Sequence, residues 1–286
     1  MAQKQSVVIT GASTGIGLAT TRVLLSKEYR VFGMVRKQSD ADRVSAELGS
    51  DFIPLLADVT DEAAVWRAAT QVEKILGGVR LAGLVNNAGI VVGGPLLHLD
   101  ASEMRRQMEV NLVGPLVVTQ AFAPMLGSKP GRTGSPGRVV QISSVSGKIG
   151  APFLGAYSAS KYALEGMSES LRRELMLYGV DVVVIGPGPV LTPIWDKSAE
   201  EDYSAFDSTD YGPILKRFRA FFAGEAKKGL SPDTIGRLIY HALTTRKPKV
   251  RYAAVPQRFT NWTMPRLLPQ RVVDGIIAKQ FGLTKQ

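Results

Sequence analysis

The run YSASK at residues 157–161 contains a tyrosine and a lysine four residues apart, and Ser144 precedes that tyrosine by thirteen residues. On a helix, the four-residue spacing brings Tyr157 and Lys161 to one face. A tyrosine exchanges protons near neutral pH only if its pKa falls from roughly 10, and a nearby cation lowers that pKa because it favours the phenolate. Ser144 supplies a hydroxyl that can hydrogen-bond a substrate oxygen while charge develops there, with Ser143 as the competing hydroxyl. These residues predict a proton-transfer site, although the same tyrosine–lysine spacing is common on an amphipathic surface.

A glycine-rich turn near the start of the chain has the residue types that hold a phosphate. It follows the apolar run at residues 7–9 and precedes a helical pattern. Glycine lets the backbone pass close to a phosphate, and the N-terminus of a helix offers free N–H groups and a positive dipole end. Such turns also use glycine for purely steric reasons, but the strand–turn–helix order favours a dinucleotide site. Its candidate contacts are Gly11, Ser13, Thr14, Gly15, Ile16 and Gly17.

The ends of the next two strand-like runs indicate which dinucleotide is bound. Arg36 and Lys37 follow the second run, where the adenosine ribose lies in folds of this kind. An acid there suits the 2′-hydroxyl of NAD, whereas arginine accommodates the 2′-phosphate of NADP. The sequence therefore favours NADP(H) over NAD(H), against the alternative of solvated charges. Asp58 and Val59 follow the third run and are candidates for adenine contact, with a helix N-cap role for Asp58 or Thr60 as the alternative.

A dinucleotide site and a proton-transfer pair in one chain fit hydride chemistry. Hydride transfer between nicotinamide and a carbonyl carbon needs a group that gives a proton to the substrate oxygen or takes one from it. The residues therefore predict an NADP(H)-dependent oxidoreductase that interconverts a carbonyl and an alcohol.

Several motifs in this order resemble the classical short-chain dehydrogenase/reductase family over nearly the whole chain. The turn at residues 10–17 and the run at 157–161 are similar to the family's cofactor turn and active-site run. The other matching motifs, in chain order, are Asn86-Asn87-Ala88-Gly89, Asn111, Ser144 and Pro187-Gly188-Pro189-Val190-Leu191-Thr192. The region after the active-site run, residues 163–175, resembles the hydroxysteroid and retinol dehydrogenase branch.

The resemblance implies roles that residue types alone do not give. It implies that Lys161 also holds the cofactor ribose and that Asn111 helps to order a proton-relay water. Asn87, Ala88 and Gly89 are expected to shape the sheet edge beside the cofactor rather than to act chemically. In the loop that begins at Pro187 and Gly188, Val190 and Thr192 are expected to meet the nicotinamide carboxamide.

Alternating strand-like and helical patterns must position these residues. Parallel βαβ order predicts an α/β fold, a single-domain Rossmann-type doubly wound parallel sheet with helices on both faces, which binds its ligand beyond the carboxyl ends of the strands. Residues 1–245 are predicted to form this domain, and residues 246–286 a basic amphipathic C-terminal extension of it. The predicted buried strands are Ser6–Thr10, Arg30–Val35, Phe52–Leu56, residues 82–86, Arg138–Ile142 and residues 181–185.

Composition limits the chemistry. The chain of 286 residues is 45% hydrophobic and 21% charged, which suits one large globular domain. It has no cysteine and two histidines, His98 and His241, so thiolate chemistry is excluded, a zinc- or histidine-dependent mechanism is disfavoured, and no metal is expected. No uninterrupted run of eighteen apolar residues and no signal-peptide pattern are present, and we expect a cytoplasmic protein.

Residues 191–229 are expected to form a lid or pocket wall over the substrate. Seven aromatic residues fall between positions 191 and 222, which favours a bulky lipophilic substrate of steroid, retinoid or aromatic-ketone type. The alternative is that the aromatics only pack inward as core. They are Trp195, Tyr203, Phe206, Tyr211, Phe218, Phe221 and Phe222.

The segment 246–286 carries nine Lys or Arg and a single acid, Asp274, and therefore most of the net charge of +10. Val272/Ile276 and Val273/Ile277 form apolar pairs at helical spacing. A basic amphipathic helix can lie on an anionic membrane, but docking on its own domain or on a second subunit is favoured, because a glycine and two prolines interrupt the pattern. We expect a homodimer or homotetramer and no nucleic-acid partner. The main alternative function is a non-catalytic NADP(H)-binding sensor or scaffold with a membrane-surface or partner-binding tail.

Overall fold

The computed structural model describes residues 4–194 and 202–284. The strands are β1 (Ser6–Thr10), β2 (Arg30–Val35), β3 (Phe52–Leu56), β4 (Gly83–Asn86), β5 (Arg138–Ile142), β6 (Asp181–Pro187) and β7 (Arg251–Ala254). The helices are α1 (Gly15–Leu25), α2 (Gln38–Leu48), α3 (Glu62–Leu76), α4 (Ala101–Met108), α5 (Gly114–Ala123), α6 (Gly155–Glu174), α7 (Gly212–Ala226), α8 (Pro232–Thr244), α9 (Met264–Leu267) and α10 (Gln270–Phe281).

Within these residues the strands form one sheet in the order β3-β2-β1-β4-β5-β6-β7, and every pair is parallel. The chain reverses its direction of winding between β1 and β4, which is where open α/β sheets bind their ligands. The doubly wound parallel fold expected from the sequence is confirmed.

Helices cover both faces of the sheet because alternate strand residues point to opposite sides. On one face, Val7 and Ile9 of β1 pack with α1, α2 and α8, and Gly236 of α8 lets that helix approach the backbone of Ala19 closely. On the other face, Val8 packs with α3, α5 and the end of α6. Both layers hold the carboxyl ends of the strands, and therefore the loops after them, on a rigid support.

Five of the six predicted strands begin at the expected residue, and one of these five, β6, extends beyond its predicted end at residue 185 to Pro187. The predicted strand at residues 82–86 begins one residue later. The structure adds a strand that the sequence did not indicate: β7 lies in segment 246–286 and pairs with β6 at the sheet edge. The basic C-terminal segment is therefore part of the sheet and not only an appended helix.

Residues 101–128 form a helical stretch in which π-helical turns at Glu109–Val113 and Pro124–Ser128 flank α5, with a kink at Gly127, whose φ is +145°. By length and hydropathy alone this stretch could span a membrane. More than half of its apolar window is buried in the fold, and Val118, Phe122 and Met125 belong to the core beneath the sheet. It has the burial of a core helix.

Candidate active site

Tyr157 and Ser144 meet at the carboxyl end of β5. Tyr157 lies in the first turn of α6 and is buried, and its hydroxyl shares a hydrogen bond with that of Ser144. Ser144 also caps a short 3-10 turn by accepting from the N–H of Ser146 at 3.1 Å, which fixes its side chain. The competing hydroxyl of Ser143 is buried against Gly147 and has no hydrogen-bond partner within the described residues. Ser144 is therefore the serine that faces Tyr157.

Lys161 lies one helical turn after Tyr157, with only 5% of its surface exposed. Its Nζ donates to the carbonyl of Ile142 at 2.8 Å and lies 5.8 Å from the centre of the Tyr157 ring. Burial lowers the pKa of Lys161 to about 8, against the opposing attraction of the Glu165 carboxylate. The ammonium therefore loses its proton much more easily than a solvated lysine does.

The pKa of Tyr157 differs from the sequence expectation. A nearby cation was expected to lower it, but burial raises the pKa of Tyr157, and the hydrogen bond from Ser144 opposes that rise only in part. Loss of water around the phenolate therefore outweighs the stabilisation available within the chain. Tyr157 is protonated at neutral pH in this structure, which suits donation of a proton to a carbonyl oxygen.

Asn111 reaches the same centre from a π-helical turn, an irregularity often found at functional sites. Its side chain is fixed by both backbone groups of Ile90: Oδ1 accepts from the N–H at 2.9 Å and Nδ2 donates to the carbonyl at 3.0 Å. Nδ2 also lies 3.2 Å from Oγ of Ser160, whose hydroxyl donates to the carbonyl of Tyr157. A Cβ on Gly89 would lie 3.2 Å from Oδ1 of Asn111 and 3.8 Å from Nζ of Lys161, so Gly89 leaves the space between them open.

The glycine-rich turn between β1 and α1 leaves no room for larger residues. A Cβ on Gly17 would lie 2.1 Å from the carbonyl oxygen of Gly11. Gly11 and Gly15 have φ of +66° and +54°, a region that favours glycine. Thr14, at the N-cap of α1, makes no side-chain capping hydrogen bond. The first N–H groups of the helix, which begins with Gly15 and Ile16, are therefore free to bind an anion.

The residues after β4 hydrogen-bond to the glycine-rich turn that follows β1. The Thr10 hydroxyl accepts from the N–H groups of Asn87 and Ala88, each at 2.9 Å. Nδ2 of Asn87 donates to the carbonyls of Thr10 and Gly11 at 2.9 and 3.1 Å. Asn87 and Ala88 thus tie the two central strands together at the site.

Arg36 and Asp58 lie beside each other at the ends of β2 and β3. Nη1 of Arg36 is 3.8 Å from Oδ2 of Asp58, and the arginine side chain is 63% exposed, as expected of a group that can meet a phosphate. Lys37 follows at the N-cap of α2 and is exposed. The N-cap alternative for Asp58 or Thr60 is wrong: Asp61 caps α3, and Asp58 instead accepts from the N–H and hydroxyl of Thr60.

Val59 and Arg43 also lie near the predicted cofactor site. The side chain of Val59 is buried against Gly114, so only its backbone can face adenine. Arg43 of α2, which was not predicted from the sequence, donates from Nη2 to the carbonyl of Ser13 at 2.8 Å. Its distance of thirty residues from Ser13 gave no signal in the sequence, yet it adds positive charge at the turn.

The loop after β6 folds back over the glycine-rich turn. The N–H of Gly188 donates to the carbonyl of Ala254 in β7, and Val190 is buried and bridges to Leu230. A Cβ on Gly15 would lie 3.1 Å from Cγ2 of Thr192, so this loop contacts the start of α1. Pro187 closes β6 before it. The loop therefore lies beside the glycine-rich turn, at the same carboxyl ends of the strands where Ser144 follows β5.

Tyr157 belongs to an apolar cluster that is rich in aromatic side chains. Phe218 of α7 packs on Phe153 and on Phe281 of α10, with ring centres 5.3 and 5.2 Å apart. Other members are Val91, Leu154, Tyr203, Phe206, Tyr211, Leu215 and Phe222. A Cβ on Gly93 would lie 2.5 Å from the Tyr203 hydroxyl, so the segment from Tyr203 lies directly on the loop after β4. Trp195 falls outside the described residues, and Phe221 is partly exposed.

An ion pair that the sequence did not indicate joins Glu165, which is buried, to Arg251. Glu165 of α6 accepts from Nε of Arg251 in β7 at 2.9 and 3.0 Å, and Nη2 of the same arginine donates to the carbonyl of Ser144 at 3.1 Å. The two residues are 86 positions apart. No motif or spacing linked them.

Comparison with known proteins agrees with this architecture. Residues 5–203 match the family described as short chain dehydrogenase. The NADPH-dependent 3-dehydrocapnine reductase of Ornithobacterium rhinotracheale is 39% identical over 275 residues, covering 96% of each chain. Human retinol dehydrogenase 5 is 31% identical over 283 residues, covering 95% of this chain and 87% of that protein.

Solved structures show the same fold. A short-chain dehydrogenase from Streptomyces avermitilis, 27% identical, covers 100% of both chains with a TM-score of 0.77. A short chain dehydrogenase from Burkholderia cenocepacia, crystallised in complex with NADP, is 22% identical and covers 96% of this chain and 98% of that one with a TM-score of 0.73.

Proposed function

The chain belongs to the short-chain dehydrogenase family and is an oxidoreductase of that type, and from this premise we propose that it interconverts a carbonyl and an alcohol on a bulky lipophilic substrate with NADP(H). The observation that carries the proposal is a buried Tyr157 that is hydrogen-bonded to Ser144 and belongs to an apolar cluster, where burial raises its pKa. Such a group can hold and protonate a substrate oxygen in a site that excludes water.

We assign one task to each residue of the centre. Ser144 orients the substrate oxygen and stabilises the charge that develops on it. Tyr157 gives the proton to that oxygen in reduction and accepts it in oxidation. The Lys161 ammonium favours the phenolate that remains after donation and binds the cofactor ribose, and Asn111 orders the water through which the proton is replaced. A bound nicotinamide cofactor supplies the hydride.

The residues around the glycine-rich turn fit such a cofactor. The uncapped start of α1, which Gly17 lets pack closely on the backbone of Gly11, suits a pyrophosphate, to which Gly11, Ser13, Thr14 and Gly15 would offer backbone and hydroxyl groups. Asp58 and the backbone of Val59 would contact adenine. The loop of Pro187, Gly188, Val190 and Thr192 would contact the carboxamide, with Asn87, Ala88 and Gly89 beside it.

Tyr157→Phe tests the chemistry because it removes only the hydroxyl. We expect loss of turnover in an assay of NADPH oxidation across ketones, aldehydes, steroids and retinoids, while NADPH binding, followed by fluorescence titration, is retained. Tyr162→Phe is the matched control, since Tyr162 lies on the same helix and is 46% exposed. Turnover by Tyr157→Phe at the parent rate would refute the mechanism.

Arg36 and Lys37 support a preference for NADP(H), because exposed cations at the end of β2 suit a 2′-phosphate. The relative from Ornithobacterium, named as NADPH-dependent, supports the same preference. Arg36→Asp should weaken NADPH binding far more than NADH binding, and Arg67→Asp, an exposed arginine on α3, should leave both unchanged. Equal weakening of both cofactors by Arg36→Asp would refute the preference.

The substrate class rests on the aromatic cluster and on relatives whose names include retinol dehydrogenase. The aromatic side chains between Tyr203 and Phe222 that belong to the same cluster as Tyr157 favour a large apolar molecule over a small polar one. The screen decides this point: turnover confined to small polar carbonyls would contradict it. A homodimer or homotetramer, a cytoplasmic location and peripheral membrane contact through the C-terminal segment stay predictions. The alternative of a non-catalytic sensor predicts NADPH binding with no turnover of any carbonyl.

A further inference from the structure

Glu165 is a carboxylate on the buried face of α6. It lies one turn after Lys161 on α6, and its side chain is only 5% exposed. A buried carboxylate is costly unless charged or polar groups compensate it. Both of its oxygens accept from Nε of Arg251, and Nζ of Lys148 lies 3.4 Å from one of them.

Arg251, which contacts this carboxylate, lies 86 residues after Glu165 in the sequence. It starts β7 at the sheet edge and extends past β6 at Gly186, where a Cβ would lie 2.2 Å from its Nη2. Its guanidinium stacks 4.3 Å from the centre of the buried Trp262 ring, which also receives Arg266 at 4.6 Å. Packing thus fixes the direction of the guanidinium, and the glycine keeps its path open.

We propose that Arg251 and Glu165 are positioning residues of the catalytic centre: Arg251 holds the backbone of Ser144 and the Glu165 carboxylate, and that carboxylate keeps Lys161 charged. The inference rests on the proposed function of Tyr157, Ser144 and Lys161. The short segment after β5 is held by a cation at each end, because Lys161 donates to the carbonyl of Ile142 and Arg251 to that of Ser144.

The proposal has an electrostatic half, the effect of Glu165 on the charge of Lys161, and a positional half, the hold of Arg251 on Ser144. The electrostatic half follows from the charges around Glu165. Lys161 faces it from its own helix, Lys148 from the turn after β5, and Arg251 from β7. The carboxylate raises the pKa of Lys161 against the larger lowering by burial. Without that carboxylate the lysine would lose its proton at lower pH, and the group 5.8 Å from the Tyr157 ring would lose its charge.

The two partners should act on Lys161 in opposite directions. Glu165→Gln removes an attractive negative charge and lowers the pKa of Lys161. Arg251→Met removes a positive charge and leaves the carboxylate with fewer partners, so it raises that pKa. The measurement is a 13C NMR titration of the cofactor-free protein carrying lysine labelled at Cε, with the Lys161 signal identified by its absence in Lys161→Met. An unchanged midpoint in Glu165→Gln, or shifts of the same sign in both variants, would overturn the electrostatic half.

The positional half is tested with Arg251→Lys. This variant keeps a cation beside Glu165, but an ammonium lacks the planar fork that bonds the carboxylate and the Ser144 carbonyl together. We expect a Lys161 titration close to that of the parent, together with a kcat lowered roughly tenfold or more and an NADPH KM changed little. A parent kcat in Arg251→Lys would overturn it.

Glu169→Gln is the matched control, since Glu169 lies one turn further along α6, exposed and paired with Arg173. It should leave both the titration and kcat unchanged, and an effect equal to that of Glu165→Gln would overturn the proposal. For Glu165→Gln itself, kcat at pH 8 should fall about fivefold or more, and the gap should narrow towards pH 6, where Lys161 is charged in both proteins. Failure of the proposed function remains distinguishable, because it would appear as full activity in Tyr157→Phe whatever the Lys161 titration shows.

Discussion

Replacing Lys161 by methionine should abolish turnover and yet stabilise the cofactor-free protein at neutral pH. The ammonium is buried, and its pKa falls from 10.5 to about 8 in the folded chain. Below pH 8 the lysine is charged in both the folded and the unfolded state, so the folded state bears the full cost of the buried charge. That cost is relieved as the pH rises from 8 towards 10.5, because the folded state then gives up its proton first.

The magnitude follows from the pKa difference of about 2.5 units between 10.5 and 8, at about 1.4 kcal/mol per unit, which gives a cost of about 3.5 kcal/mol at pH 7. Methionine removes this cost but leaves the carbonyl of Ile142 without its donor, which costs about 1–3 kcal/mol. We therefore expect Lys161→Met to raise the free energy of unfolding by roughly 0.5–2.5 kcal/mol at pH 7.

The pH dependence of this gain is the sharper measurement. Urea unfolding is followed by tryptophan fluorescence at pH 7, 8, 9 and 10. The difference in the free energy of unfolding between Lys161→Met and the parent should change by about 2.5 kcal/mol across that range, so that the advantage of the variant disappears or reverses by pH 10. Lys74→Met, which changes an exposed lysine of α3, should give a curve parallel to that of the parent. A constant difference between Lys161→Met and the parent would refute the assignment of a buried, destabilising charge to Lys161.

Two further changes test the supports of the site. Gly17→Ala should weaken NADPH binding at least about tenfold in a fluorescence titration, because its Cβ would meet the backbone of Gly11. The control Gly166→Ala on α6, where nothing lies within 4 Å, should bind NADPH normally. Normal binding by Gly17→Ala would contradict the proposed cofactor site at the glycine-rich turn. Phe281→Ala should lower the free energy of unfolding by about 3–5 kcal/mol, because it removes the ring that packs between α10 and α7. The control Ile276→Ala changes an exposed side chain and should lower that free energy little. Equal effects of the two variants in urea unfolding would contradict docking of α10 on the domain.

Much of the fold could be read from the sequence because the central strands are buried on both faces. Runs such as Arg138–Ile142 are continuous and apolar, and helical patterns separate them at regular intervals. Strand β7 could not be read in this way. It is four residues long, half-buried at the sheet edge and lies in the most basic part of the chain, so neither alternation nor an apolar run marks it.

The candidate site divides along the same physical line. Tyr157, Lys161 and the glycine-rich turn could be found because local geometry, a helical turn or a strand–turn–helix unit, imposes their spacing. Arg43, Glu165 and Arg251 could not, because tertiary packing alone brings each to its partner. The direction of the Tyr157 pKa was wrong for a related reason: the sequence gives the neighbouring cation, but only the fold gives the loss of water that outweighs it.

The basic C-terminal segment has a role that its charge alone did not indicate. Arg251 compensates a buried carboxylate, and Arg266 stacks on Trp262, so part of the charge is used inside the domain. The apolar pairs of the segment also differ in exposure. Val273 and Ile277 are partly buried, whereas Val272 and Ile276 are about half exposed. Deleting the segment would therefore remove β7 and the support of Ser144 together with any membrane-facing surface. A test of membrane contact must instead change Val272 and Ile276 to serine in the full chain, compare co-sedimentation with anionic vesicles, and require unchanged NADPH binding.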